Sequence, residues 1–262
     1  MAAGRVEELL KRERRGGALL FALIDSEPSR PSEPVELALA AERAGASAIL
    51  VGGSSATDQF GMARVVRDVK KAAGIPVILF PGNVTGVVPG ADAILFSSLL
   101  NSENPYFISQ AQALGAPNVL RLGLEPLPTA YLVVGEGTSA WFVGSARGIP
   151  HEKPQIAAAY ALAARFMGMR FVYLEAGSGA KKAVPPGMIR AVRAATDGFL
   201  IVGGGIRDAR AARAAAEAGA DAVVVGTLLE AGGAGRLGPI VRAARGARPK
   251  INKRAPGRRR RA

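Results

Sequence analysis

Eight short apolar segments recur along the chain, and their spacing constrains its fold more than any other feature. Each segment is apolar at nearly every position and is bounded by glycine, proline or aspartate. Such runs are typical of strands in a parallel sheet that is covered on both faces. The predicted strands cover residues 18–24, 48–51, 77–80, 93–96, 130–134, 171–174, 199–202 and 222–225.

Helical periodicity fills most of the gaps between these strands. The exception is the gap 81–92, PGNVTGVVPGAD, in which three glycines and two prolines leave no helical period. The pattern predicts an α/β fold, a (β/α)₈ TIM barrel whose third helix is replaced by an irregular segment. A doubly wound open sheet is disfavoured, because no glycine fingerprint for a dinucleotide follows the first strand. The predicted helices cover residues 34–44, 58–73, 105–114, 153–167, 186–195, 208–218 and 239–244.

The charge of the chain divides it into two parts. Its net charge is +13, but residues 242–262 hold ten lysines or arginines and no acid, so removing them leaves +3. We therefore predict one barrel domain over residues 1–245 and a basic, disordered tail over 246–262. The tail could bind RNA or anionic lipid without specificity, which would allow a peripheral membrane contact. We favour a solubilising extension and predict no specific nucleic-acid partner.

Other aspects of the composition narrow the class of protein. The chain has no cysteine, which excludes disulfides and thiolate metal sites and favours an intracellular protein. No apolar run is long enough to span a membrane. Residues 1–17 mix acids and bases without an apolar signal core, so we expect no export and a cytoplasmic location.

The loops after the last three predicted strands are rich in glycine. They contain Gly177-Ser178-Gly179, Gly203-Gly204-Gly205 and Gly226-Thr227. In TIM barrels the chemistry lies at the carboxyl ends of the strands, and the loops after strands 7 and 8 commonly hold phosphate. Glycine lets backbone N–H groups approach an anion closely. These turns could instead be structural, but three of them together favour a site for a phosphate monoester.

Polar residues at other strand ends suggest a metal and a base. Asp25 and Ser54 end adjacent strands, and their oxygens suit Mg²⁺, although Asp25 could equally cap the loop that follows it. Glu175 lies directly before the first glycine loop, where it could accept a proton from a hydroxyl of a phosphorylated substrate. Its structural alternative is to fix a neighbouring loop N–H.

Several motifs together resemble the geranylgeranylglyceryl phosphate synthase family, which is related to the bacterial heptaprenylglyceryl phosphate synthases. The similarity covers about residues 8–245, and YLEAGSGA with VGGGIRD is specific, whereas neither glycine motif alone would be. The family's barrel also lacks a regular third helix. The motifs are LID at 23–25, VGGSS at 51–55, LLNSENPYFI at 99–108, LPTAYLVVG at 127–135, KPQIAAAYALAA at 153–164, YLEAGSGA at 173–180, VGGGIRD at 202–208 and VGT at 225–227.

The resemblance implies a prenyltransferase that joins sn-glycerol 1-phosphate to a long prenyl diphosphate, geranylgeranyl diphosphate being the expected donor. This is the first step of archaeal membrane lipid assembly. It implies Mg²⁺ held by Asp25 and Ser54, and self-association of the chain. Glu175 would activate the hydroxyl, with Tyr173 beside it and Tyr131 facing the allylic cation. The implied contacts of the substrate phosphate group are Tyr173, Leu174, Glu175, Ala176, Gly177, Ser178, Gly179, Gly204, Gly205, Gly226 and Thr227.

One departure from the family pattern concerns the loop after strand 1. Members of the family often have Asp-Pro there, whereas this chain has Asp25-Ser26-Glu27-Pro28, so Glu27 could add a metal contact. We also expect the irregular segment 80–90 to open onto an apolar channel for the prenyl chain. Two rival functions remain at this point. They are another phosphate-binding barrel enzyme, such as a sugar-phosphate isomerase, and an RNA-binding protein that acts through the basic tail.

Four further residues carry weaker expectations. The sequence is evenly balanced on whether Arg207 contacts the phosphate. His151, the only histidine, is expected at the surface. Trp141 and Phe142 are expected in an extra strand after strand 5.

Overall fold

The computed structural model describes residues 3–27, 30, 32–53, 58–231 and 233–249. Eight parallel strands form a closed barrel in the order of the sequence, with the last strand paired to the first. The predicted TIM barrel is therefore confirmed. Within the described ranges, no helix combines the length and the apolar character that crossing a membrane requires. The strands are β1 Leu19–Asp25, β2 Ala48–Gly52, β3 Val77–Leu79, β4 Ala93–Leu99, β5 Glu125–Val133, β6 Phe171–Glu175, β7 Phe199–Gly203 and β8 Ala222–Val225.

Strand β5 begins five residues before its predicted start. Its first half, from Glu125 to Thr129, contains two prolines, whose missing N–H groups made this part look unlike a strand. Pairing with β4 overrides that local preference, since the register runs from Ala93 opposite Glu125 to Leu99 opposite Tyr131.

The helices surround the barrel, and every predicted helix is present with small shifts at its ends, except that the helix predicted over 105–114 continues to Arg121. The segment after β4 begins as a π-helix, Tyr106–Gln110, before it continues as an α-helix. The prediction missed three short or charged helices, which are α1, α5 and α9. The α-helices of the described residues are α1 Arg5–Arg14, α2 Glu33–Arg43, α3 Gln59–Ala72, α4 Ala111–Arg121, α5 Ser139–Val143, α6 Pro154–Phe166, α7 Pro186–Ala195, α8 Ala209–Ala218, α9 Thr227–Glu230 and α10 Leu237–Gly246.

Helix α1 closes the amino-terminal end of the barrel. Its side chains Val6 and Leu10 pack into the cluster of apolar side chains that fills the barrel interior. Glu7 is fully buried beside them and forms an ion pair with Arg170. The Glu125 carboxylate accepts hydrogen bonds from the Val6 and Glu7 N–H groups in the first turn of the helix. Because one end is closed in this way, an opening into the barrel lies at the carboxyl ends of the strands.

The gap between β3 and β4 lacks an α-helix, as predicted. It holds a single 3₁₀ turn, Val84–Gly86, with Asn83 accepting the first N–H of the turn. Val87 and Val88 are buried against the helices on either side. The missing helix leaves the wall of the barrel thinner on this side.

One expectation about the β5–α6 connection is wrong. Trp141 and Phe142 lie in helix α5 and not in an extra strand, because Thr138 caps a short helix that ends at Gly144. Trp141 packs into a small apolar cluster, and Phe142 is exposed. His151 is half-buried, and its ring lies where a side chain at Gly135 would stand.

Candidate active site

A cavity of about 260 Å³ opens at the carboxyl ends of the strands. The glycine turns line one side of it, and the irregular β3–β4 segment lines the other. Asp25 and Glu175 contribute the carboxylates of its lining. The cavity thus brings together residues that are up to about two hundred positions apart in the sequence.

The three glycine turns after β6, β7 and β8 meet at one place in this cavity. A side chain at Gly204 would lie 2.6 Å from the Gly177 nitrogen, so these two turns are in direct backbone contact. The hydroxyls of Ser178 and Thr227 are 3.0 Å apart, which joins the turns after β6 and β8. Gly177 and Gly204 adopt positive φ angles of 98° and 78°, a conformation that favours glycine. The convergence predicted from the sequence is therefore present.

The turns present unused backbone donors to the cavity. Six N–H groups in residues that line it donate no hydrogen bond to any other residue that the structure describes. Gly204, Gly205 and Gly226 are half-buried, where backbone donors are nearly always paired, so their unpaired N–H groups, together with those of three exposed neighbours, indicate a site for an anion. The six groups belong to Ser178, Gly179, Gly204, Gly205, Gly226 and Thr227.

Glu175 lies at the base of these turns and is almost fully buried. Burial raises the pKa of its carboxyl group, although the Gly177 N–H, which donates to Oε1 at 2.5 Å, opposes that rise. The alternative role of Glu175, which is to fix a neighbouring loop N–H, is thus also present, because this oxygen accepts the Gly177 N–H. The carboxyl group nevertheless lines the cavity beside the unpaired donors. A carboxylate with a raised pKa in such a place is suited to accept a proton.

Three aromatic rings cover the floor of the cavity. Phe80 stacks on Tyr173 with ring centroids 5.2 Å apart, and Tyr131 meets both rings edge to face. The Tyr173 hydroxyl is buried without a hydrogen-bond partner in the described structure. Its position beside Glu175 lowers the pKa of that carboxyl group, yet it does not meet the geometry of a full hydrogen bond.

Burial and the charge of Glu175 raise the pKa values of both tyrosines. Burial raises the pKa of Tyr173 well above its usual range, and the charge of Glu175 adds to the rise. Tyr131 is partly open to the cavity, but protein encloses its hydroxyl enough to raise its pKa for the same two reasons. Both hydroxyls therefore stay protonated at neutral pH. The neutral rings present electron-rich faces on which developing positive charge is stabilised.

The opposite side of the mouth holds one of the two predicted metal ligands, Asp25. Asp25 is exposed at the end of β1, lines the cavity, and accepts the Glu27 N–H with one oxygen, as a cap would. Ser54 lies outside the described residues. The described ranges contain no cluster of three or more acidic, histidine or cysteine side chains. One carboxylate beside an anion site still fits Mg²⁺, which keeps several waters and shares substrate phosphates.

The irregular β3–β4 segment lines an apolar extension of the cavity. Val84 and Val87 face this space, and Val87 lies against the backbone of α4 at Gly115. Helix α5 contributes Ala140 and Val143 to the opposite wall. The extension is lined mainly by hydrocarbon, which suits an apolar chain.

The sequence interpretation missed two kinds of residue. Phe80 was predicted only as a strand end and the start of the irregular segment, and Phe107 only as part of a helix and of a family motif, although both side chains line the cavity. Thr138 was not considered, yet its side chain occupies the space next to Gly177. Arg207 donates to the Gly179 and Ala180 carbonyl oxygens, so it contacts the loop that forms the predicted phosphate site. A signal for Phe80 was available, because it directly precedes the helix-free gap.

Comparisons with known proteins agree with this geometry. The model of the PcrB family matches residues 10–243. Proteins named geranylgeranylglyceryl phosphate synthase from Cenarchaeum symbiosum and Nitrosopumilus maritimus are 72% and 69% identical over 88% and 89% of this chain and 94% of each relative. The crystal structure of (S)-3-O-geranylgeranylglyceryl phosphate synthase from Thermoplasma acidophilum, in complex with sn-glycerol-1-phosphate, superposes with a TM-score of 0.88. It is 38% identical and covers 94% of this chain and 100% of its own. The chain therefore belongs to the PcrB family, and the resemblance of its motifs to the geranylgeranylglyceryl phosphate synthases is confirmed.

Proposed function

We propose that this chain is a prenyltransferase that joins sn-glycerol 1-phosphate to geranylgeranyl diphosphate through an ether bond, the first step of archaeal membrane lipid assembly. The observation that carries the proposal is the cluster of unpaired N–H groups on three adjoining turns, with the buried Glu175 carboxyl beside it. A relative with a TM-score of 0.88 is described in complex with the same glycerol phosphate.

The glycine turns bind the phosphate group of the acceptor. Ser178, Gly204 and Gly226 each offer a backbone donor from a different turn, so the phosphate oxygens are held from three directions. Such an arrangement binds an anion without a cationic side chain. It also fixes the orientation of the glycerol hydroxyls relative to Glu175.

Glu175 takes the proton from the attacking hydroxyl. The oxygen of that hydroxyl forms a bond with the first carbon of the prenyl chain while the bond from that carbon to the diphosphate breaks. The proton passes to the carboxylate, and the diphosphate leaves with the electron pair of the broken bond. Positive charge develops on the allylic carbon during this step, and the faces of Tyr131 and Phe80 stabilise it.

The apolar extension of the cavity holds the prenyl chain. Val84 and Val87 on one wall and Ala140 and Val143 on the other exclude water from the hydrocarbon. This placement puts the diphosphate end of the donor at the mouth, on the side of Asp25.

Mg²⁺ is part of the proposal. Asp25, with Ser54 as a second ligand and Glu27 as a further candidate, would hold the ion. A bound Mg²⁺ would offset the charge that develops on the leaving diphosphate. The carboxylate of Asp25 remains available on the cavity side of β1 for this contact.

Other parts of the proposal concern the rest of the chain. We propose self-association, a cytoplasmic location and a domain boundary near residue 245. We also propose that the basic tail is a solubilising extension rather than a contact for membrane or RNA. Residues 250–262 lie outside the described structure.

The test is an assay of purified protein with sn-glycerol 1-phosphate, its mirror isomer, and prenyl diphosphates of several lengths, with Mg²⁺ and with a chelator. We expect release of diphosphate and an ether product with sn-glycerol 1-phosphate and the geranylgeranyl donor, dependent on Mg²⁺. A protein that isomerises a sugar phosphate and ignores prenyl diphosphates would contradict the proposal.

A variant without residues 250–262 serves as the control for the tail. It should keep the catalytic rate of the full chain, because the cavity lies at the carboxyl ends of the strands within residues 23–228. Loss of function on this deletion alone would favour the RNA-binding alternative.

A further inference from the structure

Arg207 spans two of the turns that line the cavity. It follows the β7 turn in sequence, and its guanidinium reaches the loop that follows β6. There Nη2 donates to the Ala180 carbonyl oxygen at 2.9 Å and to the Gly179 carbonyl oxygen at 3.3 Å. A charged donor therefore holds two consecutive carbonyl groups of the phosphate loop.

The loop that Arg207 contacts has little stiffness of its own. Gly177 and Gly179 have φ angles of 98° and 71°, and glycine populates many other conformations at small energetic cost. Inside the loop, the Ala180 N–H donates to the Gly177 carbonyl oxygen, which makes one tight turn. The Gly179 and Ala180 carbonyls receive a hydrogen bond from Arg207 alone among the described residues.

The direction of these carbonyls matters for anion binding. A carbonyl oxygen that turned into the cavity would repel a phosphate and would replace an N–H donor there. Arg207 attracts the carbonyls of Gly179 and Ala180 toward its own side. The N–H groups of Ser178 and Gly179 stay unpaired in residues that line the cavity.

We propose that Arg207 is a positioning residue that holds the 177–180 loop in the conformation that binds phosphate. It acts through the backbone of the loop and not by a bond to the phosphate. The identity of the bound molecule rests on the proposed function, whereas the ordering of the loop does not.

Arg210 offers a matched control three residues away. It is exposed on the first turn of α8, carries the same charge, and lies beside the same loop in an outer groove. Its side chain forms no hydrogen bond or ion pair with another residue of the described ranges. A comparison of Arg207→Gln with Arg210→Gln therefore separates the loop contact from a general loss of positive charge.

The first measurement is hydrogen exchange of the loop amides in the full-length protein without substrate. Arg207→Gln should speed exchange of the hydrogen-bonded amides of Ala176, Gly177 and Ala180 by about tenfold, since a hydrogen bond from a charged donor is lost and the loop opens more often. Arg207→Lys, which keeps a charged donor, should show a smaller increase, and Arg210→Gln should match the wild type. Thermal unfolding of all variants checks that the barrel remains intact, and Arg207→Lys decides the case if Arg207→Gln does not fold.

The second measurement is binding of sn-glycerol 1-phosphate and of inorganic phosphate by calorimetry, followed by steady-state kinetics. Arg207→Gln should weaken both ligands by about tenfold, raise KM for the glycerol phosphate, and leave KM for the prenyl diphosphate unchanged. Unchanged exchange in Arg207→Gln would overturn the proposal. If exchange stayed unchanged while affinity fell, Arg207 would be a direct ligand of the phosphate, which also overturns it.

The two proposals fail in different ways. If the wild type bound phosphate but not sn-glycerol 1-phosphate, the proposed function would be wrong. The exchange result and the phosphate affinity of the Arg207 variants would still decide the role of Arg207.

Discussion

The two sides of the cavity are built from different parts of the chain. On the side of β6, β7 and β8, the surface consists of backbone N–H groups held by glycine turns. On the side of β3, α4 and α5, it consists of hydrocarbon side chains around a missing helix. A backbone site tolerates almost no added atom, whereas a side-chain channel changes its shape with each substitution. We therefore expect the first side to fix what the acceptor is and the second to set which prenyl chain fits.

The largest effect should come from Glu175, which lies between the two sides. Glu175→Gln keeps the shape and an acceptor for the Gly177 N–H, but it cannot take a proton. We expect kcat to fall by roughly 10²- to 10⁴-fold, as is usual when a general base is lost. Calorimetry should show that sn-glycerol 1-phosphate still binds. A variant with near wild-type kcat would mean that another group accepts the proton.

The pH dependence of the reaction also tests the role of Glu175 as the base. Because burial raises the pKa of Glu175 in the free protein, the acidic limb of the kcat/KM profile should lie above the pKa of an ordinary glutamate. Activity should be lost as the pH falls through this raised value. For folding the sign is opposite, since a raised pKa means that the ionised form is the destabilised one. The stability from this residue is full below its unfolded-state pKa and is lost as the pH rises through the folded-state pKa, so Glu175→Gln should flatten that decline in thermal denaturation.

The next effect tests how tightly the backbone side is packed. Gly204 and Gly179 both have positive φ angles, but a side chain at Gly204 would meet the Gly177 nitrogen at 2.6 Å, whereas one at Gly179 would meet nothing within 4 Å. Gly204→Ala should therefore weaken glycerol phosphate binding by at least tenfold, and more than Gly179→Ala, which carries only a backbone strain of about 1 kcal/mol. Equal losses in the two variants, measured by calorimetry, would contradict the close contact between the turns.

A smaller and more selective effect is expected on the channel side. Val87→Phe should fill part of the apolar extension and raise KM for geranylgeranyl diphosphate by about tenfold, as overpacking of a filled site does. KM for the glycerol phosphate should stay unchanged, and shorter donors should be used relatively better. Leu120→Phe is the control, because Leu120 is 83% exposed on α4 and does not line the cavity. An unchanged donor preference in Val87→Phe would rule out this channel.

The smallest effect concerns Tyr173, where the two sides meet at the floor. Its hydroxyl is buried without a hydrogen-bond partner, so removal should not destabilise the protein. We expect Tyr173→Phe to unfold at an equal or slightly higher temperature. We expect kcat to fall, because the variant loses the hydroxyl that lies beside the Glu175 carboxyl group. A clear drop in the unfolding temperature would show that the hydroxyl has a structural partner instead.

The difference between the two sides also explains how far the sequence could be interpreted. Glycine turns after apolar strands are local patterns, so the sequence predicts the position of these turns and of Glu175 at the strand ends. The channel walls come from Val87, Phe107 and α5. These are far apart in sequence, so no local pattern shows that they meet around one cavity. The predicted metal site can be compared with the structure only in part. Asp25 lies at the mouth as predicted, and Ser54 lies outside the described residues.

By itself, the sequence determined the eight strands, the order in which helices follow them, and the place where a helix is missing, because each depends on backbone preferences within a few residues. The tertiary structure decided the rest. It placed the charged helix α1 across the amino-terminal end of the barrel, where Glu7 forms an ion pair with Arg170. It extended β5 across two prolines by pairing with β4. It also brought the guanidinium of Arg207, a residue of the cavity lining, to the carbonyl oxygens of the loop after β6. These outcomes depend on contacts between distant segments, whose energies outweigh local preference and leave no local pattern in the sequence.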